Sequence, residues 1–492
     1  MVKNSTEIKS PTLLDALLPV AFLLILLVSF ALVYKDESTP NQVALLFSAA
    51  FACFIGMKNG YTWKEMEHGM IETIKVSMQA VLILLTVGSL IGSWIISGTV
   101  PSMIYYGVQI MSPDYFYITS CLVCAFLGLS IGSSWTVAGT LGIGLIGIAT
   151  VLDVSLAITA GAIISGAYFG DKLSPLSETT NLAAAVTRTD LFNHIQHMLW
   201  TTVPAILITL TVFLFIGLTD NSTLVIDEVI NLQNQLNQNF NINPIMLIPL
   251  LVLFYMARRK VPALLTLLVG TILGCLFALF FQLETIFEAK TATNISYLSS
   301  VFKEIMNALF VGYQSSTGNA AYDALMSKGG MVNMMSVVGL VITAMAFGGA
   351  MNKAGLLERL IRAPLSKVKS TGGLISTTVC TCIGTNAIAS DQYLSIVLPG
   401  QMLLQPYQSR KIQIINLSRT LEDAGTLTSA LFPWNTCGAY MAGTLGVTTL
   451  TYAPFAFFNY LCPIIAIIYG ISNFSVPNED SKPEMDNIPL NV

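Results

Sequence analysis

Long apolar runs, separated by a few short polar loops, dominate the pattern of residues along this chain. A run of about 20 predominantly apolar residues is long enough to cross the hydrocarbon core of a bilayer as a helix. The pattern therefore predicts membrane-spanning helices. They cover residues 13–33, 41–57, 72–97, 198–218, 243–257, 261–283, 331–352 and 451–471.

Two further regions, 116–190 and 371–446, are apolar but are interrupted by Gly, Pro, Ser and Thr. Irregular backbone at membrane depth is tolerated only where protein or a water-filled cavity surrounds it. Each region is therefore predicted to form a re-entrant hairpin followed by a broken helix, although hydropathy alone also allows each hairpin to be two spans. The predicted hairpins are 116–152 and 371–406, and the predicted broken helices are 154–187 and 411–446.

Lys and Arg in short loops indicate which side of the membrane each loop faces. The basic loops 58–64 and 258–260 should be cytoplasmic, and the stretch 219–242, which has neither residue, should be external. The loop 98–115 also has no basic residue, whereas 353–370 carries Lys353, Arg359, Arg362, Lys367 and Lys369. Because these loops follow the third span of each half, equivalent loops should face opposite sides, which is the property of an inverted repeat.

The predicted fold class is an all-α polytopic membrane protein with two inverted-topology repeats. Each repeat has about five transmembrane helices, together with a re-entrant hairpin and a broken helix. Both termini should then be cytoplasmic. The predicted parts are an N-terminal tail 1–12, a first repeat 13–218, an external linker 219–242, a second repeat 243–472 and a C-terminal tail 473–492.

Composition agrees with a membrane protein. Hydrophobic residues make up 54% of the chain and charged residues only 10%, against about 25% charged in a soluble domain. The net charge of −4 and the lack of a basic cluster argue against a nucleic-acid partner. No glycine-rich phosphate loop ending in Lys-Ser/Thr occurs in the sequence, so ATP is not implied, and no cofactor is predicted.

Two charged motifs lie in the interrupted regions, at residues 170–178 (GDKLSPLSE) and 422–429 (EDAGTLTS). The small polar triplet 132–134 lies 39 residues before Asp171, and the triplet 384–386 lies 39 residues before Asp423. An ionised carboxylate in hydrocarbon is expensive and marks a functional site. The repeated spacing indicates a transporter of two related halves, with Asp171 and Asp423 equivalent at an offset of 252.

These residues together predict a binding site for a small coupling cation. Carboxylate, hydroxyl and amide oxygens are suitable ligands for a small hard cation. Asp171 and Asp423 should be the main ligands. The other predicted ligands are Ser133, Ser134, Ser174, Thr385, Asn386, Asp391 and Thr426.

A structural interpretation of the same charges competes with the site. Asp171 could pair with Lys172 or with another basic group, and Arg419 could neutralise Glu422 or Asp423 one helical turn away. Such buried pairs can serve structure alone. Under the functional hypothesis, Glu178 and Glu422 handle protons or balance charge, and Lys172 and Arg419 are charge partners, not substrate ligands.

Two histidines, His194 and His197, lie three positions apart just before a predicted span. They should share one helix face, which suggests a pH sensor. The competing interpretation is an interfacial pair that is merely solvated.

At its motifs the chain resembles the NhaC-type sodium/proton antiporter family. The resemblance extends from about residue 70 to 470. It rests on residues 92–101, 165–183 (SGAYFGDKLSPLSETTNLA), 189–204, 417–426 (LSRTLEDAGT) and 432–440 (FPWNTCGAY). It implies a secondary transporter, not an enzyme, in the cytoplasmic (inner) membrane of a bacterium, with sodium and protons as substrates.

Three alternatives accompany the resemblance. The family includes exchangers similar to malate/lactate antiporters, and in such a protein Arg419 or Lys172 would hold the carboxylate of a small hydroxy acid. An intramembrane enzyme is disfavoured because no nucleophile–base set or metal motif recurs. A channel is disfavoured because titratable groups along the pathway suit coupled exchange. Besides the ions and the bilayer, a second copy in a homodimer stays open as a partner.

Overall fold

The computed structural model describes residues 8–34, 40–219, 226–283, 297–365, 368 and 370–477, and within these it contains helices and no β-strand. Most of the two predicted tails, residues 220–225 of the predicted linker, and Lys367 and Lys369 lie outside the described residues. No membrane is present, so the sides of the loops stay predictions.

The first half of the chain contains nine helices in the described residues. They are α1 (Leu13–Tyr34), α2 (Asn41–Lys58), α3 (Trp63–Ile96), α4 (Thr99–Ile110), α5 (Pro113–Ile131), α6 (Ser134–Val151), α7 (Leu156–Leu173), α8 (Glu178–Thr187) and α9 (Leu191–Thr219).

The second half begins at α10 in the described residues. Its helices are α10 (Ile226–Asn239), α11 (Pro244–Arg258), α12 (Ala263–Phe281), α13 (Tyr297–Phe310), α14 (Ala320–Met326), α15 (Val332–Lys353), α16 (Leu356–Leu365), α17 (Thr371–Ala389), α18 (Gln392–Ser409), α19 (Ile415–Leu421), α20 (Thr436–Leu445), α21 (Thr449–Phe455) and α22 (Phe457–Ser472).

Seven of the eight predicted spans each coincide with one helix, and 451–471 coincides with the bent pair α21–α22. Nine helices of the described chain are long and apolar enough to cross a membrane, or up to eleven if the bent pairs α10–α11 and α21–α22 each count as one span. Helices α5, α6 and α17 are among the nine. Length and composition therefore do not distinguish the arms of the predicted hairpins from full spans.

The connections within the two interrupted regions differ in part from the sequence prediction. Helices α5 and α6 meet at Gly132, and α17 and α18 meet at Ser390; both residues have left-handed backbone, with φ of 72° and 60°. The predicted tip triplet 384–386 therefore lies inside α17, before the true tip. Helix α7 ends beside its motif as predicted, but the second motif continues as a wide helical turn, Glu422–Thr426, and the chain leaves the helix only after Leu431.

Caps at these connections recur at one spacing in the two halves. Ser133 caps α6 and Asp391 caps α18, while Ser177 caps α8 and Asn435 caps α20. Both pairs are 258 positions apart. The predicted offset of 252, which relates Asp171 to Asp423, does not agree with this spacing, because the 39-residue interval was counted from a triplet that is not at a tip.

The halves pack through a shared centre. Helices α3 and α15 lie against each other, α12 packs on α3, and α2 packs on α15. Helices α5 and α7 approach more closely, through glycine. A Cβ on Gly166 would lie 2.1 Å from the Cys121 carbonyl oxygen, and one on Gly170 would lie 2.3 Å from the Leu129 nitrogen. This backbone-to-backbone contact fixes the end of α7, where Asp171 lies.

Replacing Gly166 with Ala should therefore destabilise the protein, because a methyl group at that position forces α5 and α7 apart. Overpacking of this kind costs about 1–3 kcal/mol. Thermal unfolding in detergent measures the loss. The control is Gly384→Ala in α17, where a Cβ would meet nothing within 4 Å. A Gly166→Ala variant as stable as that control would contradict the proposed close contact.

Candidate functional site

Asp171 is held by the tip of the first hairpin. It lies in the last turn of α7 and is only 6% exposed. The backbone N–H and the hydroxyl of Ser134 both donate to its Oδ2, at 2.9 and 2.7 Å. That N–H is available because the first turn of a helix leaves its donors without intrahelical partners. The structure thus brings the predicted tip residue and the first carboxylate together.

A cavity of about 400 Å³ opens in front of Asp171. Its walls come from both halves of the chain, namely α3, the first hairpin, the α7–α8 break, the α11–α12 loop, the second hairpin and the start of α20. Among the described residues that line it, Asp171, Glu178 and Asp391 are acidic and Lys260 is basic. The lining therefore favours a cation over an anion.

The second hairpin contributes Asp391, which is 3% exposed. One of its oxygens, Oδ1, accepts a hydrogen bond from the Leu394 N–H at 2.9 Å and so caps α18. Next to it, the side-chain oxygen of Gln392 accepts from Ser429 Oγ at 3.0 Å and from Cys437 Sγ at 2.6 Å. Asp391 and Asp171 line the same cavity, so this pair faces a common space.

Asp423 lies outside that lining, in a fully buried ion pair with Lys172. The Thr201 hydroxyl donates to the same carboxylate oxygen at 2.8 Å, and the other oxygen has no hydrogen-bond partner in the described structure. Lys172 therefore pairs with Asp423, and not with Asp171 as the structural interpretation considered.

Arg419 is also fully buried, but within the described residues it makes no direct ion pair with Glu422 or Asp423. Its Nη1 donates to the Ser475 carbonyl oxygen at 3.0 Å, and its Nε and Nη2 have no hydrogen-bond partner in the described residues. Helix α19 points it towards the segment after α22. Arg419 and Lys172 both lie outside the cavity lining, so neither is placed to hold a bound carboxylate there.

The two glutamates lie in different surroundings. Glu178 lines the cavity and accepts a hydrogen bond from the Tyr393 hydroxyl at 2.6 Å. Glu422 is fully buried behind the cavity and accepts from the Thr179 hydroxyl at 2.9 Å. Thr179 in turn lies 3.1 Å from the Ser177 hydroxyl. A hydroxyl pair therefore connects the cavity wall to Glu422.

Four of the predicted ligands lie away from the cavity in this conformation. Thr385 donates to the Thr381 carbonyl oxygen at 2.8 Å, and Asn386 donates to the Gly425 carbonyl oxygen at 2.7 Å. Thr385 therefore bonds within α17, and Asn386 joins α17 to the second motif. Ser174 and Thr426 are fully buried and are likewise outside the lining, whereas Ser133 and Ser134 belong to it.

Sequence reasoning missed several polar side chains of the cavity. Ser77 and Gln79 lie in the middle of α3, in a stretch that the sequence predicts only as a membrane span. Ser177, Gln392 and Cys437 lie at or beside helix starts. Ser177, Gln392 and Cys437 could have been found from the sequence, because they follow a predicted break or tip. A helix that starts there leaves backbone donors that can face a cavity.

The two histidines are buried within α9, at 0% and 2% exposure. His194 Nδ1 lies 2.9 Å from Ser418 Oγ, and His197 Nε2 lies 3.1 Å from Asn416 Oδ1. The interpretation as a merely solvated pair is therefore wrong. The role of pH sensor stays a hypothesis, now for histidines that contact the second-motif helix.

A multi-pass helical membrane protein, with an acid-lined cavity between two hairpins and two broken helices, has the architecture of a membrane transporter. Residues 166–474 match the model of the Na⁺/H⁺ antiporter family. The chain belongs to this family.

The relatives span nearly the whole chain. The Na⁺/H⁺ antiporter NhaC of Alkalihalophilus pseudofirmus is 36% identical over 93% of this chain and 95% of its own. NhaC of Bacillus subtilis is 36% identical over 91% and 95%, and the malate-2H⁺/Na⁺-lactate antiporter of the same organism is 34% identical over 94% and 95%. A solved structure of Neisseria gonorrhoeae MtrF is similar over 92% and 94%, at 13% identity and a TM-score of 0.38.

Proposed function

We propose that this protein is a secondary active antiporter that exchanges sodium for protons across the cytoplasmic membrane of a bacterium. It has both termini in the cytoplasm and works by alternating access between two inverted repeats. The observation that carries the proposal is the cavity, in which Asp171 and Asp391 face a common space in an apolar helical protein. The named activity of the NhaC relatives supports the same cargo.

Coupling follows from competition at Asp171. Its carboxylate binds either a sodium ion or a proton, because protonation removes the charge that holds the cation. The two donors from Ser134 fix the orientation of one oxygen, and the carboxylate lines the cavity. Opposing gradients supply the energy, so neither a cofactor nor a covalent reaction is needed.

Asp423 enters this cycle differently from the sequence prediction. Lys172 occupies it in place of a cation, so Asp423 and Lys172 form an internal pair whose separation would create a second cation site. Glu422 lies beside this pair and balances its charge or carries a proton. The residues Ser174, Thr385, Asn386 and Thr426 act as ligands only after the motif helices rearrange.

Exchange of a small hydroxy acid is the alternative, supported by the name of the malate/lactate relative. The acidic lining favours sodium and protons, because a bound carboxylate would face Asp171, Glu178 and Asp391. We expect purified protein in liposomes with an internal pH dye to move protons when sodium is added. Potassium, malate and lactate are the comparison solutes. Sodium-dependent uptake of labelled malate or lactate, without sodium/proton exchange, would overturn the main proposal.

Asp391→Asn should weaken apparent sodium affinity about tenfold, the equivalent of about 1.4 kcal/mol, while leaving a measurable maximal rate. The amide keeps an acceptor for the Leu394 N–H, so the cap on α18 survives while the charge facing the cavity is lost. Sodium titration of the dye signal in liposomes measures the affinity. An unchanged half-saturating concentration would remove Asp391 from the site.

A further inference from the structure

The two hairpin tips place an aromatic side chain at the same position, and each contacts the opposite half. Trp135 lies two residues after the cap Ser133, and Tyr393 lies two residues after the cap Asp391. Trp135 packs on α20 of the second half, and Tyr393 contacts α8 of the first half. Since α8 and α20 are themselves equivalent, these are two versions of one contact.

The two versions differ by one helical turn. Trp135 stacks on Tyr440, the fifth residue of α20, with ring centroids 4.1 Å apart and planes within 9°. Tyr393 instead donates to Glu178, the first residue of α8. The residue of α8 equivalent to Tyr440 is Leu182, which is only partly buried.

The contact between Trp135 and Tyr440 is close and buried on the Tyr440 side. Tyr440 is fully buried, and its hydroxyl donates to the Trp135 carbonyl oxygen at 2.8 Å. A Cβ on Gly139 would lie 2.5 Å from that hydroxyl, so glycine gives the ring its place. Tyr393, in contrast, is 39% exposed and lines the cavity. The first tip is therefore packed ring against ring on its helix, whereas the second tip makes a hydrogen bond to the first residue of its helix.

We propose that these aromatic side chains are the two gates of the cavity and that transport moves each tip by one helical turn. In the opposite state Tyr393 packs on Leu182 and closes its side, while Trp135 withdraws from Tyr440 to Thr436, the first residue of α20. One turn of an α-helix is about 5.4 Å, a displacement that packed elements can make between two discrete positions. Thr436 and Trp135 already line the cavity, so that destination is accessible. The inference rests on the proposed alternating-access function.

Cysteine pairs test the movement, in full-length protein whose native cysteines are replaced. The pair Tyr393→Cys with Glu178→Cys reports the conformation described here, and Tyr393→Cys with Leu182→Cys reports the opposite one. A short thiol crosslinker is applied in liposomes with sodium inside, outside or absent. We expect sodium to change the two crosslinking yields in opposite directions. Yields that stay fixed, or that rise and fall together, would overturn the gate assignment.

A second measurement applies if the cysteine variants fail to fold. Its outcomes also distinguish a failure of this inference from a failure of the proposed function. Tyr440→Phe keeps the stack on Trp135, whereas Tyr440→Leu removes it. We expect Tyr440→Leu liposomes to leak sodium down its gradient at least tenfold faster than Tyr440→Phe liposomes, without matching proton movement. Equal leak rates would overturn the gate. Wild-type protein that shows no sodium/proton exchange would instead overturn the proposed function.

Discussion

Asp171→Asn should abolish sodium-dependent proton movement. The amide oxygen can still accept hydrogen bonds from Ser134, so the hairpin tip should keep its position. The variant loses the negative charge that attracts the cation and the carboxylate that takes up the proton. We expect the dye signal in sodium-loaded liposomes to fall by at least a hundredfold, to the level of empty liposomes.

Asp153→Asn is the matched control. Asp153 is exposed in the turn between α6 and α7, and its φ of 50° is a backbone conformation that Asn adopts readily. The same chemical change there should leave both folding and exchange intact. Full exchange by Asp171→Asn, at normal expression, would show that its carboxylate is not the coupling group.

Breaking the buried pair should cause the largest loss of stability. Lys172→Met leaves Asp423 buried without its partner, and Asp423→Asn leaves Lys172 in the same position. Removing one partner of a buried ion pair costs about 3–5 kcal/mol. Thermal unfolding of the two single variants in detergent should show this loss in both.

The double variant, Lys172→Met with Asp423→Asn, separates structure from transport. Because no uncompensated charge remains, much of the lost stability should return. The hydroxyl of Thr201 keeps its alternative bond to the Met198 carbonyl oxygen. If the pair takes part in the cycle, the restored protein should still fail to exchange sodium. A stable double variant with wild-type exchange would make the pair purely structural.

The spans could be predicted from the sequence because burial in lipid is a local property of each segment. A run such as residues 261–283 is apolar enough to be identified on its own, and it coincides with α12. The first break was also visible, since Ser174 and Pro175 follow α7 directly, but the second helix continues past its motif to Leu431. The position of a tip was less certain, because Ser390 is an ordinary residue that takes left-handed backbone only in this fold.

The correspondence of the two motifs failed for a related reason. Asp171 lies in the last turn of an ordinary helix. Asp423 lies within the wide helical turn Glu422–Thr426, well before the point where the second helix breaks. Counting residues from the triplets could not detect that difference. The caps Ser177 and Asn435 reveal it, but their importance appears only once the breaks are known.

The sequence by itself determined the class of this protein, because hydropathy decides which segments enter the bilayer and the cost of buried charge marks the motifs. The tertiary structure decided which charged side chains form an ion pair and which face the cavity. Lys172 and Asp423 are 251 positions apart, and Asp171 lies next to Lys172 yet faces the cavity with Asp391. Adjacent residues of a helix point about 100° apart, so only the packing of α7 against both halves could assign one to an ion pair and the other to a cation site.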